Sequence, residues 1–430
     1  MKFSLATAPA RWTALAVSLL AGFFLSYLSI RNARAEHFLA QQTPEGLERA
    51  IRLEPGNAES WYLLGRYWQY SFDQQDLARA AASYRHAAAL DPHSAKNWVE
   101  LADVYEGLGR TDDARQAYRE GRNAYPISPD VAWREGNFLL RQGETAAACA
   151  EFRRALEVQP SLAAAAVSRC WRANPDVHVI LDEVLPPVRE AYLEAVQFFV
   201  SEREGDAAIA AWRRLRPVAP GLPLAQSYPL FGLLMSAGRT TEAREIWLQA
   251  RALAAVPEPP AAPGSLVWDG GFETAPDGGG FGWRLQQAPG MQMDLDADNK
   301  RSGAQALRIR FDGRTNFDFR HVVQYVAVEP ETSYQLSGWV RTDSLSTDSG
   351  MRLFVYDPKD PATSGRLTSD VLGTEPWTHL ELTFTTGRDT RLLVLCVRRL
   401  PTAKFDNKLG GTAWVDDVKL EPLGAAAKPR

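Results

Sequence analysis

The sequence predicts a multidomain chain with an N-terminal transmembrane helix, an all-α run of helical hairpins and a C-terminal all-β sandwich. Three observations carry this. Residues 12–30 are uncharged. Large apolar residues recur at three- and four-residue steps through the first half, the spacing of amphipathic helices. Past a proline-rich stretch that spacing gives way to short alternating runs, the period of strands. At 430 residues the chain is too long for one core. Its formal charge of -4 implies no bulk attraction to nucleic acid. Cys149, Cys170 and Cys396 form no C-x-x-C pair and no disulfide framework. Cys149 and Cys170 are placed to meet across adjacent hairpins, and all three are expected as small buried apolar residues.

Trp12–Ile30 is 19 residues long, flanked by Lys2 and Arg11 before it and by Arg31 and Arg34 after it. A helix needs about 20 apolar residues to cross a bilayer. Trp12 and Tyr27 stand near the ends, where amphipathic rings favour the interface. Residues 1–35 are therefore read as a cytoplasmic tip and membrane anchor, with a cleaved signal peptide as the alternative. Ala33-Arg34-Ala35 has the small-residue form of a cleavage site, but the apolar run exceeds the usual length of a signal segment. Flanking charge does not decide the orientation.

Residues 36–255 read as helical repeats, clearest at 57–160, entered through a single helix between Glu36 and Pro55. The pattern is plainest in Trp98–Pro129. Trp98, Leu101, Ala102 and Tyr105 precede a Gly109-Arg110-Thr111 turn; Ala114, Tyr118 and Pro126 follow. Upstream, Trp61, Leu64, Gly65 and Trp68 lead to Ala80, Tyr84, Ala87 and Pro92, after a three-residue insertion near Tyr70–Asp73. Downstream, Gly136, Leu139, Gly143, Ala148, Phe152, Ala155 and Pro160 keep the offsets. Small residues stand where paired helices approach, aromatics fill the gaps, and each proline stops a second helix. Beyond Pro160 the pattern decays into two weaker hairpins, Tyr192–Leu215 and Leu230–Leu253. The latter restores the turn as Gly238-Arg239-Thr240.

These offsets resemble the tetratricopeptide repeat (TPR) family. The resemblance implies a solenoid whose concave face is lined by the first helix of each repeat and holds a protein or peptide. Carried over by offset, the lining residues are Tyr62, Arg66 and Tyr70, then Asp103 and Glu106, then Trp133, Asn137 and Arg141. Exposed aromatics and arginines are common anchors of such interfaces. Singly, each reads equally well as a solvated surface residue.

Residues 256–264 hold four prolines in nine positions and read as a stiff linker. Alternating runs follow at Ala306–Phe311, His321–Val328, Ser333–Arg341, Met351–Tyr356, His379–Thr385, Arg391–Arg398 and Thr412–Leu420. Many short strands separated by Gly, Asp and Pro clusters imply an antiparallel sandwich over 265–422, with a tail at 423–430.

Its motifs are Trp268-Asp269-Gly270-Gly271-Phe272-Glu273, Gly303-x-x-Ala306-Leu307, Gln324-Tyr325-Val326, Tyr334-x-Leu336-Ser337-Gly338-Trp339 and Trp414-Val415-Asp416-Asp417-Val418. In this order they resemble the carbohydrate-binding modules of families four and nine, a galactose-binding-like jelly roll. One departure is Asp269, where the family usually has Asn. The resemblance implies a structural calcium ion held by Glu273 and Asp416, with Asp417 an equal candidate; oxygen ligands suit that ion. It also implies sugar stacking on exposed aromatics. Trp283, Trp339, Tyr356 and Trp377 are the candidates, although large aromatics are more often core. Trp339 falls on the strand face opposite Tyr334 and Leu336.

No lipase-type serine elbow, phosphate loop, zinc-protease helix motif or dinucleotide fingerprint occurs. Asp416 and Asp417 are neighbours on a strand, so they face opposite ways. The expectation is a non-enzyme: a membrane-anchored scaffold with its N-terminus cytoplasmic and its bulk periplasmic or extracellular. Its partners would be a protein and a glycan, with no nucleic acid and no certain cofactor beyond calcium. The pairing of modules suggests surface polysaccharide assembly or export. A purely protein–protein assembly factor and an accessory subunit of a glycan-active enzyme are the alternatives.

Overall fold

The computed structural model describes residues 8–423 apart from 261, 277 and 406. Residues 1–7, the expected tip with Lys2, and the tail from 424 lie outside the described residues. The chain forms two compact units, Met1–Phe198 and Phe199–Arg430.

The first unit begins with α1 (Ala8–Leu39), whose segment Arg11–Leu39 is long and apolar enough to cross a membrane. The single helix expected between Glu36 and Pro55 is instead the end of α1, a turn and α2 (Pro44–Leu53). The turn forms because Gln42 takes a left-handed φ of 49° and Thr43 caps α2, its Oγ1 accepting from Gly46 N at 3.2 Å. Pro44 then fits the first helical turn, where no amide is needed.

Three hairpins follow: α3 (Ala58–Tyr70) with α4 (Leu77–Leu90), α5 (Ala95–Gly107) with α6 (Thr111–Ala124), and α7 (Pro129–Arg141) with α8 (Thr145–Val158). The small residues do what their spacing implies. A Cβ on Gly65 would stand 2.7 Å from the Tyr84 ring, and one on Gly136 would stand 2.9 Å from Phe152. Gly109 and Gly143 turn the chain at φ values of 72° and 79°, which favour glycine. The insertion after Tyr70 becomes a loop that leaves Phe72 fully exposed.

After a 3-10 turn at Pro160–Leu162 come α9 (Ala163–Ala173), α10 (Val177–Val179), a π turn at Ile180–Val184 and α11 (Arg189–Ser201). Cys149 and Cys170 meet as free thiols, buried, with their sulfurs 3.7 Å apart.

The second unit contains α12 (Gly205–Leu215), α13 (Tyr228–Ser236), α14 (Thr240–Leu253) and a two-sheet antiparallel sandwich. Its strands are β1 (Arg284–Leu285), β2 (Met291–Asp296), β3 (Ala306–Asp312), β4 (Phe319–Ala327), β5 (Ser333–Leu345), β6 (Arg352–Tyr356), β7 (Arg366–Leu367), β8 (Gly373–Thr385), β9 (Leu392–Arg399) and β10 (Gly410–Pro422). The first sheet has the order β1-β4-β9-β6-β7, the second β2-β3-β10-β5-β8. The seven expected runs all become strands. β1 and β7 are two residues long, too short to show a period.

Leu307, Ile309, Leu336, Val340, Leu353, Leu395, Val397 and Val415 alternate inward and fill the space between the sheets. The proline-rich stretch joins elements that already touch. Trp247 of α14 meets Trp268 edge-on at 5.0 Å and Phe281 at 5.9 Å. Arg251 of the same helix stacks over Trp268 at 4.7 Å and donates to the Pro257 carbonyl at 2.8 Å.

Candidate binding surfaces

In the first unit, α3, α5 and α7 bring the expected groove residues together, and charge pairs run between the helices. Arg134 donates to Asp103 at 2.8 Å and to Glu100 at 3.2 Å. Arg141 grips Glu106 with two bonds of 2.6 Å. Asp103 also accepts from the Tyr118 hydroxyl. Tyr70 is exposed and donates to Glu100 at 3.3 Å. Tyr62 is half-buried, with the Lys96 ammonium 4.3 Å over its ring. Burial and then Glu100 raise the Tyr62 and Tyr70 hydroxyls above the usual tyrosine range, so both stay protonated donors.

Trp133 packs on Phe152 at 5.0 Å and carries Arg169 over its ring at 4.7 Å. Asn137 donates to the Trp133 carbonyl and accepts from Arg169 Nε at 2.8 Å. Arg66 is exposed, with no carboxylate in ion-pair range among the described residues. Repeat offsets alone do not reveal Glu100, Arg134 or Arg169, because their roles depend on which helix stands opposite.

The outer side of the first sheet carries a two-row aromatic grid. Tyr325, Val394 and Tyr356 align across β4, β9 and β6, as do Val323, Cys396 and Phe354. Alternation sends these six outward because Val322, Val326, Leu353, Val355, Leu395 and Val397 fill the core. Phe354 and Tyr356 stack at 5.1 Å with their planes 24° apart. Arg284 lies 4.3 Å over the Tyr325 ring. A pocket of about 470 Å³ opens over part of this surface, with Val323, Phe354, Tyr356 and Cys396 as its floor and Arg320, Pro358, Pro361 and Arg398 around it. Arg398 is fixed by Asp318 and by the Phe319 carbonyl at 3.0 Å. Burial pushes the Cys396 thiol up to about 12, so it serves as apolar floor and not as a nucleophile.

The expected sugar aromatics separate. Tyr356 lies in this grid. Trp283 requires correction: it is 2% exposed, stacks on Phe272 at 4.8 Å and donates to the Asp269 carbonyl at 2.9 Å. Its ring belongs to the core and offers no free face. Trp339 and Trp377 are half-buried on strands of the second sheet. Tyr325 and Phe354 went unnoticed in the sequence, although alternation with the core residues of β4 and β6 marks them.

Residues 71–132 match the tetratricopeptide repeat model, and residues 264–402 match that of the carbohydrate binding domain. The chain therefore joins tetratricopeptide repeats to a carbohydrate binding domain. The tRNA(Glu)-specific nuclease WapA of Bacillus subtilis subsp. natto is 29% identical over 167 residues, 36% of this chain and 7% of that protein. The formate-dependent nitrite reductase complex subunit NrfG of Escherichia coli O157:H7 is 33% identical over 105 residues, 21% of this chain and 52% of that one. A solved family 16 carbohydrate binding module is 18% identical, with a TM-score of 0.27, over 36% of this chain and 98% of its own. The chain thus spans well under two thirds of these curated relatives.

In the carbohydrate binding domain the three acidic candidates gather at one corner. Asp416 is fully buried, and its carboxylate accepts from the amides of Arg301 at 2.8 Å, Ser302 at 3.2 Å and Asp417 at 2.7 Å. Burial still raises its carboxyl from 3.8 to about 6. Glu273 accepts from Ala304 N at 2.8 Å. Glu273 Oε1 and Asp416 Oδ1 lie 3.4 and 3.7 Å from where a Gly271 Cβ would stand, so both face one point. Asp417 turns aside to accept from Ser302 Oγ at 2.7 Å. Among the described residues no three His, Cys, Asp or Glu side chains converge tightly enough to hold a metal unaided. Asp269 sits at a left-handed φ of 49° and accepts from Glu273 N, Thr274 N and Thr274 Oγ1. Asp tolerates that conformation nearly as well as Asn, and here its carboxylate ties the turn that presents Glu273.

Proposed function

We propose that this chain is a membrane-anchored, envelope-facing scaffold. The tetratricopeptide repeats hold a protein or peptide, and the sandwich holds a glycan against the grid of Tyr325, Phe354 and Tyr356, in surface polysaccharide assembly or export. The grid is the observation that carries the glycan half. Half-buried aromatic rings on a sheet surface suit the apolar face of a pyranose, and arginines at the rim suit its hydroxyls. α1 supplies the anchor, with the N-terminus inside and the bulk periplasmic or extracellular, where such glycans occur. The nuclease activity named for WapA forms no part of the proposal, since this chain spans so little of that protein.

Calorimetric titration of the detergent-solubilised full chain with neutral xylo- and gluco-oligosaccharides tests the glycan half. Binding is expected, and the double variant Phe354→Ala/Tyr356→Ala is expected to weaken it at least about tenfold. Absence of binding to every neutral oligosaccharide would discard it. That outcome would favour a second reading, a protein–protein assembly factor with a structural sandwich. The floor residues Val323, Val394 and Cys396, which offer no hydrogen bond to a sugar, support this second reading.

Glu273 and Asp416 fit a structural calcium ion as two of its ligands, with backbone oxygens completing the shell. A buried carboxylate that resists ionisation gains most from a neighbouring cation. Calcium in hundredfold excess over its Kd is expected to stabilise the sandwich by about 2.7 kcal/mol at neutral pH. The gain should fade as pH falls through about 6, where Asp416 takes up a proton. Without calcium the sign reverses. The folded state then holds this proton more tightly than the unfolded chain, so the contribution of Asp416 declines as pH rises from 3.8 to about 6. A melting temperature indifferent to calcium and to chelator at neutral pH would exclude the ion.

A further inference from the structure

The outer side of the second sheet has a composition unlike that of the first. Asp294, Arg308, Trp414 and Arg341 align across β2, β3, β10 and β5. Two residues along β5 from Arg341, Trp339 stands on the same side and packs on His379 at 4.9 Å. Two arginines stand over these rings: Arg341 over Trp414 at 5.2 Å, and Arg301, from the loop before β3, over Trp339 at 4.4 Å.

Several acids of this face are already engaged. Asp294 takes Arg308 at 2.8 Å and Arg310 at 2.7 Å. Asp296 takes Arg308 at 2.8 Å and the Trp414 indole at 2.8 Å. Burial works against its charge, yet the Trp414, Asp298 and Asn299 hydrogen bonds hold its carboxyl well below the usual range. Asp417 accepts from Ser302, and Glu381 accepts from Gln335 at 3.0 Å. Arg301 and Arg341 have no carboxylate in ion-pair range among the described residues; Arg341 donates to the Asn299 side chain at 2.9 Å.

From this arrangement we infer that the outer face of the second sheet is a second glycan site, specific for an acidic polysaccharide whose sugars carry carboxylates. A guanidinium set over an indole without a carboxylate partner still has N–H groups to present, and these match a carboxylate with two parallel bonds. Trp339, which contacts both Arg301 and His379, sets the position of that guanidinium. Arg308 and Arg310 are neutralised by Asp294 and serve as framework. The inference builds on the glycan-binding reading but uses the opposite face and a different ligand class.

The test titrates the detergent-solubilised full chain with oligogalacturonates and, separately, with neutral xylo-oligosaccharides. Oligogalacturonate binding is expected, weakening with added salt. Trp339→Ala and Arg301→Gln should each reduce it roughly tenfold and leave the neutral titration unchanged. Phe354→Ala/Tyr356→Ala should do the reverse. Arg301 is exposed, so Arg301→Gln keeps the fold, and its melting curve verifies this. Neutral binding without oligogalacturonate binding would overturn this inference alone, as would acidic binding lost only in the Phe354→Ala/Tyr356→Ala variant. Oligogalacturonate binding through Trp339 without neutral binding would overturn only the first-sheet assignment. Failure of both titrations would sink both.

Discussion

Replacing Trp247 by alanine is expected to destabilise the second unit by about 3–5 kcal/mol, the range for removing a large buried aromatic. Trp247 is 1% exposed. Its ring touches Trp268 and Phe281, which open the sandwich, and Arg251 stacks over both tryptophans. A Cβ on Gly280 would run into the indole, so the loop lies directly on it. Alanine would leave a cavity between helix and sandwich that neither rigid wall can close. Trp247→Phe should recover part of the loss. Chemical denaturation followed by near-ultraviolet circular dichroism measures it. A cost under about 1 kcal/mol for Trp247→Ala would mean that the helices of this unit and the sandwich are stable independently.

Arg399→Ala is expected to cost at least about 3 kcal/mol, because it strands several buried acceptors at once. Arg399 is wholly buried at the end of β9. It donates to the Phe317 carbonyl at 2.6 Å, to the Asn316 side chain at 2.7 Å, and to the Asn407 and Ser349 carbonyls at 3.3 and 3.4 Å. One guanidinium thus ties three loops that lack regular structure. Burial lowers its pKa, and no carboxylate lies in ion-pair range among the described residues. The loop it holds leads to Asp318, which fixes Arg398 at the rim of the first-sheet pocket. Weakened neutral-oligosaccharide binding should therefore accompany the lost stability. Arg399→Lys keeps the charge but cannot reach four acceptors, so it should lie between. Guanidinium unfolding reads the stability effect, and an Arg399→Ala midpoint equal to that of the parent would refute it.

Much of the helical unit was legible because its signals are local. Gly65 and Gly136 stand where Tyr84 and Phe152 press against the partner helix, and a fixed offset from those aromatics identifies them. The turn between α1 and α2 was missed. Its marker, Thr43-Pro44, is a cap signature two residues long inside an otherwise helical pattern. The groove was half legible. Offsets found Asp103, Glu106 and Arg141, but Arg134 and Arg169 owe their positions to residues 31 and 32 places away. In the sandwich Tyr356 was found, while Trp283 was assigned to the wrong side. It precedes a strand of only two residues, where no alternation fixes direction.

By itself the sequence determined what depends on period: an apolar helix at the start, hairpins stacked in register, and strands with one apolar side. Helical and strand repeats are properties of neighbouring residues, so they survive without knowledge of the whole. Only the tertiary structure decided which side of each sheet meets solvent, which charges cancel, and how α14 seats on the sandwich. Those outcomes rest on contacts between distant residues. Either face of a strand can be buried until the second sheet closes over it.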